Sequence, residues 1–256
     1  MLKAVLFDLD HTLVDWDSAE PWEDYQPRRM ARVFDFVHRN LYPLPGVDAQ
    51  SFFTTYVQVL TNAWIASSQT LVAPRVAQVL TDTLVAAGLP DSRLDIDAVL
   101  DIYDWQPPAG ECAYPDVVEV LPQLRAHGIE LGIITNASHP MAWRDRELEA
   151  FELLHLFSHC RVSAADVGVI KPHAAIFEHA LALMNIRPEE AVFVGDNLDA
   201  DVRGAQGVGM FAVWRNNPST AYPDDGVTPD GTIKTLHDLL PLLDKHYPGW
   251  RNGQTP

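Results

Sequence analysis

Three short apolar runs organise the chain: Ala4-Val5-Leu6-Phe7, Leu131-Gly132-Ile133-Ile134 and Ala191-Val192-Phe193-Val194. Each is continuous rather than alternating, β-branched or aromatic, and too short for a helix. Strands buried on both faces of a parallel sheet read this way. Met210-Phe211-Ala212-Val213-Trp214 is a fourth such run and Cys160-Arg161-Val162 a short fifth. Between them the spacing turns helical. Val117, Val120, Leu121 and Leu124 share one face of a helix predicted from about Val117 to His127, with Gly128 as its stop. Ile176, Phe177, Ala180, Leu181 and Met184 do the same from about Ala174 to Met184. Alternating β and α segments predict an α/β fold with a doubly wound, Rossmann-like parallel sheet.

The stretch from Asp15 to Cys112 has no such strand and carries three helical faces instead. Met30, Val33, Phe34, Val37 and Leu41 form the first. Phe52, Phe53, Tyr56, Leu60 and Trp64 form the second, and Val76, Val79, Leu80, Thr83 and Leu84 the third. Pro43 and Pro45 with Gly46, then Pro74, then Gly88 with Pro90, break them apart. The expectation is an all-helical domain over residues 15–112, inserted into a core of residues 1–14 plus 113–256. Val14 to Ser18 and Pro107 to Gly110 are the expected hinges between the two.

Composition narrows the partners. The 256 residues carry 18 Lys plus Arg against 35 Asp plus Glu, a formal net charge of −17. That balance argues against nucleic acid or an anionic membrane as partner. The insert holds 14 acids and 6 Arg, net −8, so the remainder is −9 and the acidity is spread over both parts. Cys112 and Cys160 stand in unrelated contexts and are expected to be reduced and mostly buried, neither a disulfide nor a zinc site. No apolar run approaches the roughly 20 residues of a membrane span. The apolar start meets Asp8 and Asp10 too early for a secretory signal. A cytoplasmic protein is expected, and a homo-oligomer stays open.

Each of the three buried runs ends in a polar cluster. The first ends Asp8-Leu9-Asp10-His11-Thr12-Leu13, the second Thr135-Asn136-Ala137-Ser138, the third Gly195-Asp196-Asn197-Leu198-Asp199-Ala200-Asp201. Ligands of open parallel sheets bind at the carboxyl ends of the strands, so the clusters meet if the strands are neighbours. Lys171, one of four lysines in the chain, precedes Pro172 and belongs to a loop. Asp8, Asp10, Asp196 and Asp201 would crowd one cleft and raise one another's pKa unless a cation compensates. Oxygen ligands alone suit a hard divalent ion, most simply Mg²⁺. Such an ion with Lys171 would attract a phosphate dianion, with Thr135 and backbone N–H groups near Leu9 and Asn136 as further donors.

In these four clusters and their order the chain resembles the haloacid dehalogenase-like hydrolase superfamily, in its Mg²⁺-dependent phosphatase branch with a helical cap inserted after the first motif. Asp8 and Asp10 match its first motif, Thr135 the second, Lys171 the third, and Asp196 with Asp201 the fourth. The resemblance implies that Asp8 attacks phosphorus and that Asp10 acts as general acid and then base. Asp10 would need a pKa above that of Asp8 for this, and neighbouring carboxylates are expected to supply it. It further implies Mg²⁺ on Asp8, the Asp10 backbone carbonyl and Asp196, with Asp201 acting through a metal-bound water or on Lys171. Thr135, Asn136 and Lys171 would bind the transferring phosphoryl group of a small phosphorylated metabolite.

Other residues keep two readings. His11 touches substrate or finds a structural partner; Asn197 holds a metal-site water or caps a helix. Asp199 is expected to be a solvated or capping residue. Tyr25, Arg28 and Arg29 are expected on a solvated face with an aromatic anchor, against a role at the leaving group. Trp64 and Phe53 are expected in the core. A phosphomutase shares the four motifs. A haloacid dehalogenase would need neither Asp10 nor Asp196, and a Schiff-base phosphonatase would need a lysine in the insert, which has none. A non-catalytic binding protein would be expected to have lost Asp8, Asp10 or Lys171.

Overall fold

The computed structural model describes residues 1–157, 159–217 and 226–252. In chain order it begins with β1 (Ala4–Phe7) and a two-residue strand β2 (Val14–Asp15). Four helices follow: α1 (Trp22–Phe36), α2 (Ala49–Thr70), α3 (Val76–Ala86) and α4 (Ile96–Tyr103). A second short strand, β3 (Cys112–Ala113), pairs antiparallel with β2. The remainder alternates: α5 (Pro115–Ala126), β4 (Glu130–Thr135), α6 (Met141–Ala150), β5 (Arg161–Ser163), α7 (Ala164–Val167), α8 (Ala174–Met184), β6 (Ala191–Gly195), α9 (Gly204–Gly207), β7 (Phe211–Arg215), β8 (Gly231–Ile233) and α10 (Leu239–His246).

Six strands form one parallel sheet in the order β5-β4-β1-β6-β7-β8. All five runs singled out in the sequence are strands of it, and β8 is an addition. The continuous apolarity of β1 has its cause here. Val5 and Phe7 enter the core beneath α5 and α10, while Ala4 and Leu6 enter the one beneath α8 and α9. The chain builds outward from β1 through β4 to β5, then resumes on the other side with β6. The carboxyl ends of β1 and β6 are therefore the switch point of the sheet, where a crevice opens.

The four helices between β2 and β3 pack around a separate core that includes Met30, Phe52, Leu80, Val99 and Tyr103. Their α2–α3 corner is tied to the sheet side by main-chain bonds, Ile170 N–H to Leu71 O (2.9 Å), Ala73 N–H to Gly168 O (3.0 Å) and Val76 N–H to Ser138 O (2.8 Å). The expected hinge at Val14 is the short β2–β3 ribbon. Cys112 on that ribbon is exposed, not buried as expected, because a two-residue strand covers neither of its faces; Cys160 is buried. Among the described residues no helix is long and apolar enough to cross a membrane.

Candidate active site

The register fixes which side chains can meet. Phe7 lies opposite Ile133 on one side and Val194 on the other, so the next residues, Asp8, Ile134 and Gly195, stand level at the switch point. The loop between α7 and α8 brings Lys171 across them. Its Nζ donates to Asp8 Oδ1 (2.6 Å) and to Ile134 O (2.9 Å) and pairs with Asp201 Oδ1 (2.7 Å). The Lys171 backbone is clamped by Asn136, whose Oδ1 accepts from its N–H (2.7 Å) while Nδ2 donates to its carbonyl (3.1 Å). The Asn136 side chain thus holds the lysine loop, while the phosphate contact expected near Asn136 is one from backbone N–H groups.

Asp201 also accepts from Asn197 N–H at 2.9 Å and lies directly over Gly195. A Cβ at Gly195 would come within 2.3 Å of the Asp201 carboxyl, so only glycine admits this packing. The Asn197 side chain caps the following turn through Asp199 and Ala200 N–H, and exposed Asp199 pairs with Arg203. Both residues are engaged as capping and surface groups.

Asp8, Asp196 and Asp201 are all buried, and each offers an oxygen within 4.8 Å of the others. One ammonium does not balance three carboxylates in such a space. Burial, and then the charges of Asp201, Asp196 and Asp10, push the Asp8 carboxyl well above its ordinary range, although Lys171 pulls the other way. For Lys171, Asp201 and Asp8 together outweigh burial and hold the ammonium firmly protonated. An all-oxygen, net-negative, buried donor set fits a hard divalent cation such as Mg²⁺. The Asp10 carboxylate is outside this trio.

Asp10 has a different surrounding from the one expected. Arg144 of α6 grips its carboxylate with both arms, Nη2 to Oδ1 at 2.5 Å and Nη1 to Oδ2 at 3.3 Å. Trp16 Nε1 donates to Oδ1 (2.6 Å) and Thr135 Oγ1 to Oδ2 (3.4 Å). One third of the side chain faces the cleft. Burial works to raise its pKa, but Arg144 and the hydrogen bonds outweigh it and leave Asp10 below the ordinary carboxylate range. The expected order of the two carboxyls is therefore reversed in this structure: Asp8 is raised and Asp10 is lowered. Crowding by carboxylates was legible in the sequence, whereas the arginine that overrides it at Asp10 was not.

A buried network continues behind Arg144. Glu147 Oε2 pairs with Arg144 (2.8 Å) and its Oε1 accepts from Trp105 Nε1 (2.9 Å). Glu111, on the return from α4, is 8% exposed, and neither carboxyl oxygen has a hydrogen-bond partner. Burial, and then Glu147, raise Glu111 to about 9, and burial raises Glu147 to about 7. A carboxyl raised in the fold keeps its proton after the unfolded chain has lost it. Stability then falls as pH climbs from about 4.5 towards 9. Glu111→Gln, which cannot ionise, is expected to be more stable than the parent by about 1–3 kcal/mol near pH 8 and equal to it near pH 4. Chemical denaturation at the two pH values checks this.

Asp10 and Arg144 open into a cleft of about 450 Å³ between α1, α2 and the sheet. Tyr25, Tyr103 and Trp105 line one side of it, and His139 stacks on Trp105 at 4.2 Å. Burial first, then Arg144 and Arg29, lower His139 to about 3, so it is a neutral ring. Trp64, expected in the core, is half-buried: it packs against the edge of the core beneath α8 and α9 and also forms part of the cleft wall. Of the three residues expected on a solvated face, Arg28 is exposed and paired with Glu20 (2.7 Å), while Tyr25 and Arg29 are buried. His11, at φ 58°, also borders the cleft. Sequence reasoning missed Arg144, Glu147, Glu111 and His139. One signal was present: Met141, Arg144 and Leu148 share a helical stripe, which places the arginine among buried apolar residues.

The haloacid dehalogenase-like hydrolase family model matches residues 2–209. A glyceraldehyde 3-phosphate phosphatase of Methanopyrus kandleri is 42% identical over 247 residues, 95% of this chain and 97% of that protein. Among solved structures, a haloacid dehalogenase-type phosphatase from Thermococcus onnurineus is 27% identical with a TM-score of 0.61, covering 94% of this chain and 98% of that one. A 2-haloacid dehalogenase from Pseudomonas syringae is also 27% identical, with a TM-score of 0.64 and coverage of 96% and 99%. The sheet order, the carboxylates gathered at its switch point and the match along most of the sequence agree: this chain belongs to the haloacid dehalogenase-like hydrolase family.

Proposed function

We propose that the protein is a Mg²⁺-dependent phosphatase of small phosphorylated metabolites, working through an aspartyl-phosphate on Asp8. The observation that carries this reading is the buried trio Asp8, Asp196 and Asp201 around a single ammonium, Lys171. A dehalogenase that needs only a nucleophilic carboxylate has no use for three acids so placed. The full-length similarity to a protein named as a phosphatase of a phosphorylated metabolite supports phosphomonoester hydrolysis as the reaction.

In this reading residues 15–112 are a cap over a core of residues 1–14 and 113–256. Asp8 displaces the alkoxide from phosphorus, and a water then cleaves the acyl phosphate. A Mg²⁺ on Asp8, Asp196 and the Asp10 backbone would neutralise charge on the phosphoryl oxygens. Asp201 orients Lys171, and Asn136 fixes the loop that carries it. Lys171 and Thr135 stabilise the transferring group, where positioning and electrostatics supply most of the catalysis. Asp10, ionised against Arg144, is prepared to take a proton from the attacking water. Its earlier donation to the leaving alkoxide requires that it first take up a proton, and Arg144 sets how hard that is.

The test is p-nitrophenyl phosphate turnover with Mg²⁺ and with EDTA. Turnover that disappears in EDTA and returns on adding Mg²⁺ is expected. Equal rates in both, or none in either, would overturn the proposal.

A further inference from the structure

The cleft outside Asp10 is furnished for a particular leaving group. Apart from Asp10 itself, its walls offer mainly aromatic faces, with the neutral Gln26, Asn136 and Ser138, the imidazole of His11, and charges held in pairs. Arg144 is committed to Asp10 and Glu147. Glu20 at the mouth is held in a two-pronged pair by Arg28, both contacts at 2.7 Å. His139 is uncharged. Arg29 lies behind the wall, its guanidinium stacked over Trp105 at 4.7 Å and donating to Gln106 O at 2.9 Å. Residues 15–112 contain no lysine. Among the described residues, then, the cleft presents no lysine and no uncommitted arginine to a second anionic group of a substrate, and its remaining basic side chain is the imidazole of His11.

Apolar surface continues outward instead. Trp22, Leu60 and Trp64 line the inner cleft and also a shallower groove of about 510 Å³ along α2, which ends at exposed Ile65. Trp22 is itself 37% exposed beside the cleft and lies 5.7 Å from Phe53. A large indole left open at the entrance of a pocket is unusual for a side chain with only a packing role. The inner cleft alone falls within the roughly 300–1,000 Å³ of small-molecule sites. A three-carbon polar alcohol would leave most of these aromatic walls wet.

We infer that this enzyme prefers phosphomonoesters of bulky, uncharged, aromatic or otherwise planar alcohols over those whose alcohol carries a carboxylate or a second phosphate. The inference rests on the phosphatase reading and names the substrate class of that same site. The phosphoryl group sits over Asp8, the ester oxygen faces Asp10, and the alcohol lies between Trp64 and Tyr25 and extends towards Trp22. Burying a ring there removes apolar surface from water, while a second anion would lose hydration with no lysine or free arginine to replace it.

The experiment compares primary-alcohol esters, so that leaving-group reactivity is matched: 2-(1-naphthyl)ethyl phosphate, glycerol 3-phosphate and 3-phosphoglycerate, each followed by released inorganic phosphate. The naphthyl ester is expected to have a kcat/KM at least about ten-fold above glycerol 3-phosphate, with 3-phosphoglycerate the poorest. Trp64→Ala is expected to shrink the naphthyl-to-glycerol ratio several-fold, chiefly through KM. Glycerol 3-phosphate or 3-phosphoglycerate matching the naphthyl ester would overturn the inference and leave the phosphatase reading standing. A ratio unchanged by Trp64→Ala would also overturn it. No phosphate release from any of the three, or from p-nitrophenyl phosphate, would overturn both.

Discussion

Asp8→Asn is expected to lower phosphatase turnover by on the order of 10⁴-fold or more. The amide oxygen carries no negative charge and cannot form a stable acyl phosphate, whereas its size and shape match those of the carboxylate. The substitution should not cost stability. Asp8 is raised by burial and by its acidic neighbours, so at neutral pH its ionised form is a burden on the fold. An asparagine oxygen can still accept from Lys171 Nζ. The variant is thus expected to melt at or above the parent's temperature while losing its activity. Steady-state phosphate release and thermal melts on one preparation check both halves. A variant that keeps a tenth of parental turnover contradicts the assignment of Asp8 as nucleophile.

Lys171→Met is expected to have the second-largest effect, and it acts on both stability and rate. Lys171 is 2% exposed and touches Asp8 and Asp201 at 2.6 and 2.7 Å. Methionine keeps most of the stem but removes the cation, leaving buried carboxylates without their counter-charge. Breaking a buried pair in this way costs about 3–5 kcal/mol. Turnover should fall by about 10²–10³-fold, the usual loss of a group that stabilises transition-state charge. A divalent ion on the same acids would take over part of the lost neutralisation. Mg²⁺ is therefore expected to raise the melting temperature of Lys171→Met by more than it raises that of the parent. Melts with and without Mg²⁺ check this; equal shifts contradict the placement of the ion beside Lys171.

How much of this was legible in the sequence follows from where each residue gets its role. Asp8, Thr135, Asp196 and Asp201 owe theirs to the ends of strands, and strands buried on two faces announce themselves as short apolar runs. Lys171 was legible as a loop cation before Pro172. The helices around Met30, Phe52 and Leu80 followed from spacing. Arg144 and Glu147 were not legible, because their task is set by partners 134 residues away at Asp10 and 42 residues away at Trp105. The acidity of Asp10 was misjudged for that reason: the strand ends bring carboxylates towards one cleft, but the group that grips Asp10 is the Arg144 guanidinium. Glu111 looked like one more acid in an acidic chain, and only the fold shows it buried. β8 escaped notice because its three residues, Gly231-Thr232-Ile233, carry too little apolar surface to stand out.

The central claim is that phosphate passes through Asp8 with the help of a divalent ion. The most direct measurement is acid-quenched turnover followed by peptide mass analysis. With substrate and Mg²⁺, the expected result is a phosphoryl group on the peptide that contains Asp8, absent in EDTA and absent from Asp8→Asn. Phosphate on another residue, or steady turnover in Asp8→Asn, would contradict the account.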